Sequence, residues 1–197
     1  MMSSLIKRAS LGVKTHDRIG FKSLSSVTAK SKRPSRAEFR RACAQFATGI
    51  TVVTTRAADG APHGLTANSF TSVSAEPPLV LVCIDFECSV LAHFQECEFF
   101  AINILAENQQ AISVRFAETP DGRFEGLKWW LSANGVPILA DTLGVLECKV
   151  AQRIAAGDHV ILLGEVLAAD HRAGQPLLYY SSRYQHLQIQ PHVQDQG

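Results

Sequence analysis

The sequence predicts a mostly β protein with a few short helices, arranged as a closed or nearly closed antiparallel barrel. Its apolar residues fall in many short, β-branched runs separated by turn residues, a pattern typical of strands. The regular alternation of strands and helices that a doubly wound parallel sheet needs is missing. With 197 residues, 46% of them hydrophobic and 19% charged, the chain is long and apolar enough for one folded core.

A helix is predicted to open the folded part of the chain. Ser35 and Glu38 form a Ser-x-x-Glu capping box, a common signature of a helix start. Phe39, Cys43 and Phe46 recur at helical spacing, and Gly49 is a suitable C-terminal stop. We interpret this element as a helix that packs its apolar face on the core.

Strands are predicted over most of the remaining chain, with two interrupting helices. The run 79–84 is continuously apolar and predicts a strand buried on both faces, and Asp59-Gly60 predicts a turn. The other strands are expected at 50–55, 99–105, 143–154, 160–169 and 176–182. Short helices are expected at about 88–97 and 108–117, the second capped by Asn108, and the Gln-rich end is expected to fray from Gln185.

The amino-terminal segment differs from the rest in charge. Residues 1–33 carry eight basic residues and one acid, Asp17, so the other 164 residues hold 11 of the 19 basic and 17 of the 18 acidic residues, a formal charge of −6. That charge disfavours nucleic acid, and no apolar run reaches the roughly 18 residues of a membrane span. We interpret 1–33 as a disordered basic leader, 34–187 as the domain and 188–197 as a disordered tail. The expected location is cytoplasmic, with organelle import by the leader as the alternative.

Common motifs for nucleotide and metal chemistry are missing from the sequence. It has no Gly-x-Gly-x-x-Gly, no P-loop, no His-Glu-x-x-His and no paired Cys-x-x-Cys. The spacing of Cys83, Cys88 and Cys97 matches no common zinc site, so no metal is expected. Five scattered cysteines favour free thiols in a reducing compartment.

The segment 64–78 carries the pattern most typical of a binding site. Six uncharged hydrogen-bonding side chains occur within nine residues: Thr66, Asn68, Ser69, Thr71, Ser72 and Ser74. None of them is a strong acid, base or nucleophile, but small side chains expose backbone groups to a planar, heteroatom-rich ligand. Ser89, at the start of a predicted helix, could complete an anion site. The alternative is a Ser/Thr-rich loop at a strand edge.

The chain resembles the flavin reductase-like family of FMN-binding split β-barrels from about Phe39 to Leu187. The main marker is the segment 64–74 (GLTANSFTSVS) followed by 77–84 (PPLVLVCI). Further similar segments follow in the family's order: 99–105, 124–129, 135–139, 146–150, 157–161, 176–180 and 183–184.

The resemblance implies a set of ligand-contacting residues. Around the flavin rings it implies Thr66, Ala67, Asn68, Ser69, Cys83, Ile84 and Asp85. Near the ribityl phosphate it implies Ser89 and Val90, with Arg115 as the phosphate cation and Phe116 beside it. His159 matches the position that contacts the nicotinamide and is the candidate catalytic residue, and Tyr184 lies near the same face.

The function that the resemblance implies is an NAD(P)H-dependent flavin reductase. Hydride would pass from NADH or NADPH to FMN or FAD, so the protein's role is to position the two cofactors. A homodimer and a partner flavin-dependent monooxygenase are implied as well. One alternative is an FMN-binding electron carrier or a pyridoxamine-phosphate-oxidase-like flavoprotein, and another is a noncatalytic small-barrel interaction module.

Overall fold

The computed structural model describes residues 33–119 and 121–188. Apart from Arg33 and Gln188, the predicted leader and tail lie outside the described residues. Strands predominate, as the sequence predicts. The helices are α1 (Arg36–Cys43), α2 (Leu91–Glu96) and α3 (Gln110–Glu118), with a short 3-10 helix at Glu107–Gln109. The strands are β1 (Thr48–Gly49), β2 (Thr51–Arg56), β3 (Pro62–Ala67), β4 (Thr71–Ala75), β5 (Pro78–Asp85), β6 (Phe99–Ile104), β7 (Trp129–Leu131), β8 (Pro137–Leu139), β9 (Gly144–Ala156), β10 (His159–His171), β11 (Leu178–Tyr180) and β12 (Arg183–Gln185).

Seven strands form one antiparallel sheet in the order β3-β2-β6-β9-β10-β5-β4. Its centre is the long hairpin of β9 and β10, which turns at Gly157 with a φ of +64°. The sheet curls so that β3 and β5 approach each other. The residues after β3 and at the end of β5 therefore meet at one end of the barrel.

The core fills the inside of this curled sheet. Phe94 of α2 packs with Phe100 and Leu162 inside the barrel, while Phe116 of α3 belongs to a second cluster outside β2. Gly164 of β10 allows the closest packing, since a Cβ there would lie 2.4 Å from Cζ of Phe100. Together α2 and α3 cover the two sides of the barrel near the ends of β3 and β5.

The prediction that the first helix packs on the core is wrong. The capping box is present as predicted, with Glu38 N donating to Ser35 Oγ at 3.3 Å and Ser35 N donating to Glu38 Oε2 at 2.8 Å. The helix ends at Cys43, before Phe46, and none of its residues is buried. Phe39 and Phe46 are 60% and 76% exposed. Helical spacing identified the apolar stripe but could not say what covers it.

Three smaller predictions also need correction. Strand β5 alternates between buried Val80, Val82 and Ile84 and half-buried or exposed neighbours, so it is not buried on both faces. Asn108 lies within the short 3-10 helix and does not cap α3. The last predicted strand is a short hairpin of β11 and β12, which places Gln185 within β12.

None of the helices in 33–119 and 121–188 combines the length and the apolar character needed to cross a bilayer. All five cysteines are free thiols.

Candidate functional site

A cavity of about 490 Å³ opens at the end of the barrel where β3, β5 and β10 come together. This volume is within the usual range for small-molecule and cofactor sites. The cavity is lined by Leu65, Thr66, Ala67, Asn68, Ser69, Cys83, Ile84, Asp85, Glu87, Cys88, Ser89, Phe116, Ala117, Glu118, Arg123 and His159. Ten of the residues predicted from the sequence are in this set.

The strand register brings the end of β5 and the start of β10 side by side at the cavity. Asp85 ends β5 and His159 begins β10, and the two residues are direct partners across the antiparallel pair. They lie 74 positions apart in the sequence, so only the barrel topology brings them together.

Ser69 connects the segment that follows β3 to strand β5. Its Oγ donates to the carbonyl of Cys83 at 3.0 Å and accepts from the amide of Cys83 at 2.9 Å. One hydroxyl therefore takes the place of a backbone partner and holds the segment after β3 against β5. Because this hydroxyl is already hydrogen-bonded to Cys83, Ser69 offers a ligand mainly its backbone.

The hydroxyl of Thr66 is also hydrogen-bonded within the protein. Its Oγ1 donates to the carbonyl of Ser113 in α3 at 2.6 Å. Gly64, two residues earlier, faces the same helix, where a Cβ would lie 2.8 Å from Cε1 of Phe116. The close approach of β3 and α3 sets the position of the Phe116 ring at the cavity.

A buried arginine that the sequence analysis missed lies at the inner end of the cavity. Arg123 is 8% exposed, and its guanidinium donates to the carbonyls of Thr119 and Gly64 and, through Nη2, to Ser89 Oγ at 3.0 Å. Among residues 33–119 and 121–188, no carboxylate forms an ion pair with it. A buried cation of this kind favours an anionic ligand group.

No polar pattern in the sequence singles out Arg123. It follows Gly122, which has a φ of +67°, and directly precedes Phe124, the first residue of a segment identified by resemblance. The prediction of Arg115, in helix α3, as the phosphate cation rests on resemblance alone.

Three predicted residues do not line the cavity. Arg115 donates from Nη1 to the carbonyl of Glu125 at 2.7 Å. Val90 is the buried N-cap residue of α2 and borders a neighbouring cavity. Tyr184 packs against the outer cluster, with its hydroxyl 3.0 Å from Ser113 Oγ.

His159 keeps one ring nitrogen engaged outside the cavity. Its Nδ1 lies 2.7 Å from Asp158 Oδ1, and its side chain is 38% exposed. The hydrogen bond from His159 lowers the pKa of the Asp158 carboxyl. Because a carboxylate can only accept, Nδ1 is the donor in this hydrogen bond, and Nε2 of the neutral ring is then an acceptor.

The chemistry of the cavity is that of a binding site. Burial raises the pKa of the Cys83 thiol, so this sulfur stays protonated and is a weak nucleophile. The small residues of Thr66–Ser69 form part of the wall, and Arg123 and His159 both line the cavity. This arrangement can hold a planar ring system that ends in an anionic group.

Comparison with known proteins gives consistent results. Residues 43–188 match the family model described as "Flavin reductase like domain". The chain is 46% identical over 142 residues to the FMN reductase (NADH) SmoA of Agrobacterium fabrum, covering 72% of this chain and 80% of that protein. It is 36% identical over 160 residues to the reductase subunit HsaB of a flavin-dependent monooxygenase of Rhodococcus jostii, covering 81% and 80% of the two chains.

Solved structures show the same likeness. The NADH:FAD oxidoreductase SgcE6 of Streptomyces globisporus, in complex with NAD and FAD fragments, superimposes with a TM-score of 0.74 at 34% identity. The match covers 80% of this chain and 94% of that one.

Proposed function

The chain belongs to the flavin reductase-like domain family, and from this premise we propose that it is an NADH-dependent flavin reductase that supplies reduced flavin to a monooxygenase. The observation that carries this proposal is the cavity itself. It combines a wall of small side chains with a buried arginine that has no acidic partner among residues 33–119 and 121–188.

The residues of the cavity fit a flavin nucleotide. The segment Thr66–Ser69 and the end of β5, Cys83–Asp85, would line the ring system, where Ala67 leaves room for close contact with the backbone. Arg123 and Ser89 would hold the phosphate end. Of the two arginines, Arg123 is supported by burial and by its place in the cavity, and Arg115 only by resemblance.

His159 would position the nicotinamide. When bound, NADH and flavin supply the hydride chemistry themselves. The Nε2 of His159 is free to accept a hydrogen bond at the cavity edge, and a carboxamide NH₂ is a suitable donor. The protein's contribution is to hold two planar rings in contact and to keep other orientations out.

A single assay tests the function. Purified full-length protein is mixed with NADH and either FMN, FAD or riboflavin, and the absorbance of NADH is followed. We expect flavin-dependent oxidation of NADH. A protein that binds flavin but leaves NADH unoxidised would be an electron carrier, and one that binds no flavin would be a noncatalytic barrel.

A second comparison tests the expected preference for NADH. The names of two of these relatives, SmoA and SgcE6, include NADH, so we expect NADH to be oxidised faster than NADPH. Equal rates would show that the site does not discriminate at the 2′-phosphate.

A further inference from the structure

A second, smaller chamber adjoins the inner end of the flavin cavity. It has a volume of about 250 Å³ and shares Ser89 and Arg123 with the larger cavity. Its other walls include His63 of β3 and His93 of α2. The buried guanidinium of Arg123 therefore lies between a space suited to a ring system and a space bordered by two histidines.

The two histidines are stacked. The ring centroids of His63 and His93 are 3.5 Å apart, and the rings are inclined by only 13°. Two imidazolium rings at this distance repel each other strongly, so the pair can hold one proton readily but not two.

The surroundings of His63 disfavour a charge on its ring when no ligand is bound. Burial lowers the pKa of His63, the neighbouring His93 and the Arg123 charge lower it further, and Asp59 opposes these effects. Asp121 also borders the chamber, but it is exposed and its charge is screened by solvent. At neutral pH His63 is therefore a neutral ring beside a fixed positive charge.

We propose that the His63–His93 pair and Arg123 together form a subsite for the phosphoryl group of the flavin, and that the pair takes up one proton from solvent when this group binds. This inference rests on the proposed flavin site and extends it. The negative charge of a phosphoryl group favours the protonated form of an adjacent imidazole, because it cancels the repulsion from Arg123. The protonated ring in turn donates a charge-assisted hydrogen bond to phosphate oxygen.

The sign of the pH effect follows from this coupling. Since its surroundings lower the pKa of His63 in the free protein and a bound phosphoryl group would raise it, affinity for a phosphorylated flavin should rise as the pH falls from about 8 to about 6. The second ionisation of the phosphate, near pH 6, acts in the opposite direction because it removes negative charge at low pH. Riboflavin has the same rings without the phosphoryl group, so its affinity should not change with pH in this range.

The test compares FMN with riboflavin on the full-length protein. Binding is measured by quenching of flavin fluorescence across this pH range, and proton uptake by calorimetry in buffers of different ionisation enthalpy. We expect the ratio of FMN to riboflavin affinity to increase about three- to tenfold towards low pH, with net proton uptake for FMN only. His63→Gln and His93→Gln should each remove this pH dependence and leave riboflavin binding in place. His171→Gln, a change at an exposed histidine far along β10, should keep it.

Several outcomes would overturn the inference. A ratio that does not vary with pH in the wild type, or a pH dependence that persists in both variants, excludes the histidine pair. If the pH dependence instead appears in the KM for NADH, the subsite serves the phosphates of the nicotinamide nucleotide. If FMN binds no more tightly than riboflavin, the proposed flavin site is supported and the phosphoryl subsite is wrong. If neither flavin binds, the proposed flavin site is wrong and the subsite falls with it.

Discussion

Single residues in the cavity divide between those that hold the walls together and those left free for a ligand. The hydroxyls of Thr66 and Ser69 are both engaged by the protein, with Ser113 and Cys83. The guanidinium of Arg123 is buried yet only partly occupied by neutral acceptors. The buried cation of the cavity therefore comes from a loop that no polar sequence pattern marked.

Arg123 and Arg115 can be compared directly for their effect on FMN binding. Arg123→Met should weaken FMN binding about 10- to 100-fold, because a charge-assisted contact to phosphate contributes about 1.5–3 kcal/mol. Riboflavin binding should change little. The same change at Arg115 is the matched control, since its guanidinium contacts the carbonyl of Glu125 outside the cavity. Titration of both flavins measures the effect, and a larger loss at Arg115 would reverse the assignment.

His159 is expected to act on the nicotinamide and not on the flavin. His159→Ala removes the ring held by Asp158 and should raise the KM for NADH about tenfold, the effect of losing one hydrogen bond. The affinity for FMN should stay as in the wild type. Steady-state kinetics and FMN titration on the same preparation separate the two effects, and wild-type kinetics in the variant would remove His159 from the site.

The cysteines differ in reactivity because they differ in burial. Burial raises the pKa of the Cys148 thiol to about 12, with the charge of Glu147 adding to the effect. A thiolate fraction of about one in ten thousand is then expected near pH 8, whereas Cys43 is exposed. Alkylation followed by mass spectrometry should modify Cys43 and leave Cys148 intact until the protein unfolds. Equal labelling of the two in the folded protein would contradict this.

Sequence patterns located the cavity walls at Thr66–Ser69 and Cys83–Asp85 better than they located Arg123. Thr66–Ser69 and Cys83–Asp85 are contiguous segments, so a local pattern can identify them. Arg123 depends on a loop that folds under Gly64 and Ser89, two contacts made across 59 and 34 positions of the chain. Long-range placement of this kind leaves no local signal.

At the scale of elements, the strands were predicted well where they are apolar and β-branched. Strands β2, β6, β9 and β10 lie close to their predicted ranges, and each pairs on both sides in the sheet. The hairpin of β11 and β12 was missed as a hairpin. Its turn is Ser181–Ser182, both with positive φ, in place of the Asn-Gly or Asp-Gly that normally marks such a turn.

The contact between β10 and β6 predicts a specific packing defect. Gly164→Ala should cost about 1–3 kcal/mol in the free energy of unfolding, because the new methyl group would collide with the buried ring of Phe100. Gly49→Ala is the matched control within β1, since nothing lies within 4 Å of the Cβ it would add. Urea unfolding of both variants measures the difference. Equal stability would mean that Phe100 can move aside freely.

For the whole molecule, the open question raised by the fold is the exposed helix α1. Phe39 of α1 and Phe46, just after the helix, are largely exposed, and exposed aromatic residues near one another are typical of a surface that is covered by a partner. The family resemblance implies a homodimer, and we propose that α1 contributes to its interface.

Sedimentation analysis tests this proposal. The wild type is expected to be a dimer at micromolar concentration, and the double change Phe39→Ser with Phe46→Ser should shift it towards monomer, since about 1.5–3 kcal/mol per buried aromatic residue is lost. Trp130→Ser is the control, because Trp130 is an exposed aromatic residue in the β7–β8 hairpin. A dimer unaffected by the double change, or weakened more by the control, would place the interface elsewhere.

The spread of the cavity along the chain makes it a reporter of completed folding. Its wall residues extend from Leu65 to His159, and the pairing of β5 with β10 must exist before they meet. A folding intermediate with only its early hairpins formed therefore has no flavin site and should not quench flavin fluorescence during refolding. By mass action, a ligand at a hundred times its dissociation constant stabilises the folded protein by about 2.7 kcal/mol, because only the folded protein binds it. Cells rich in free flavin would thus favour the finished barrel over its unfinished forms.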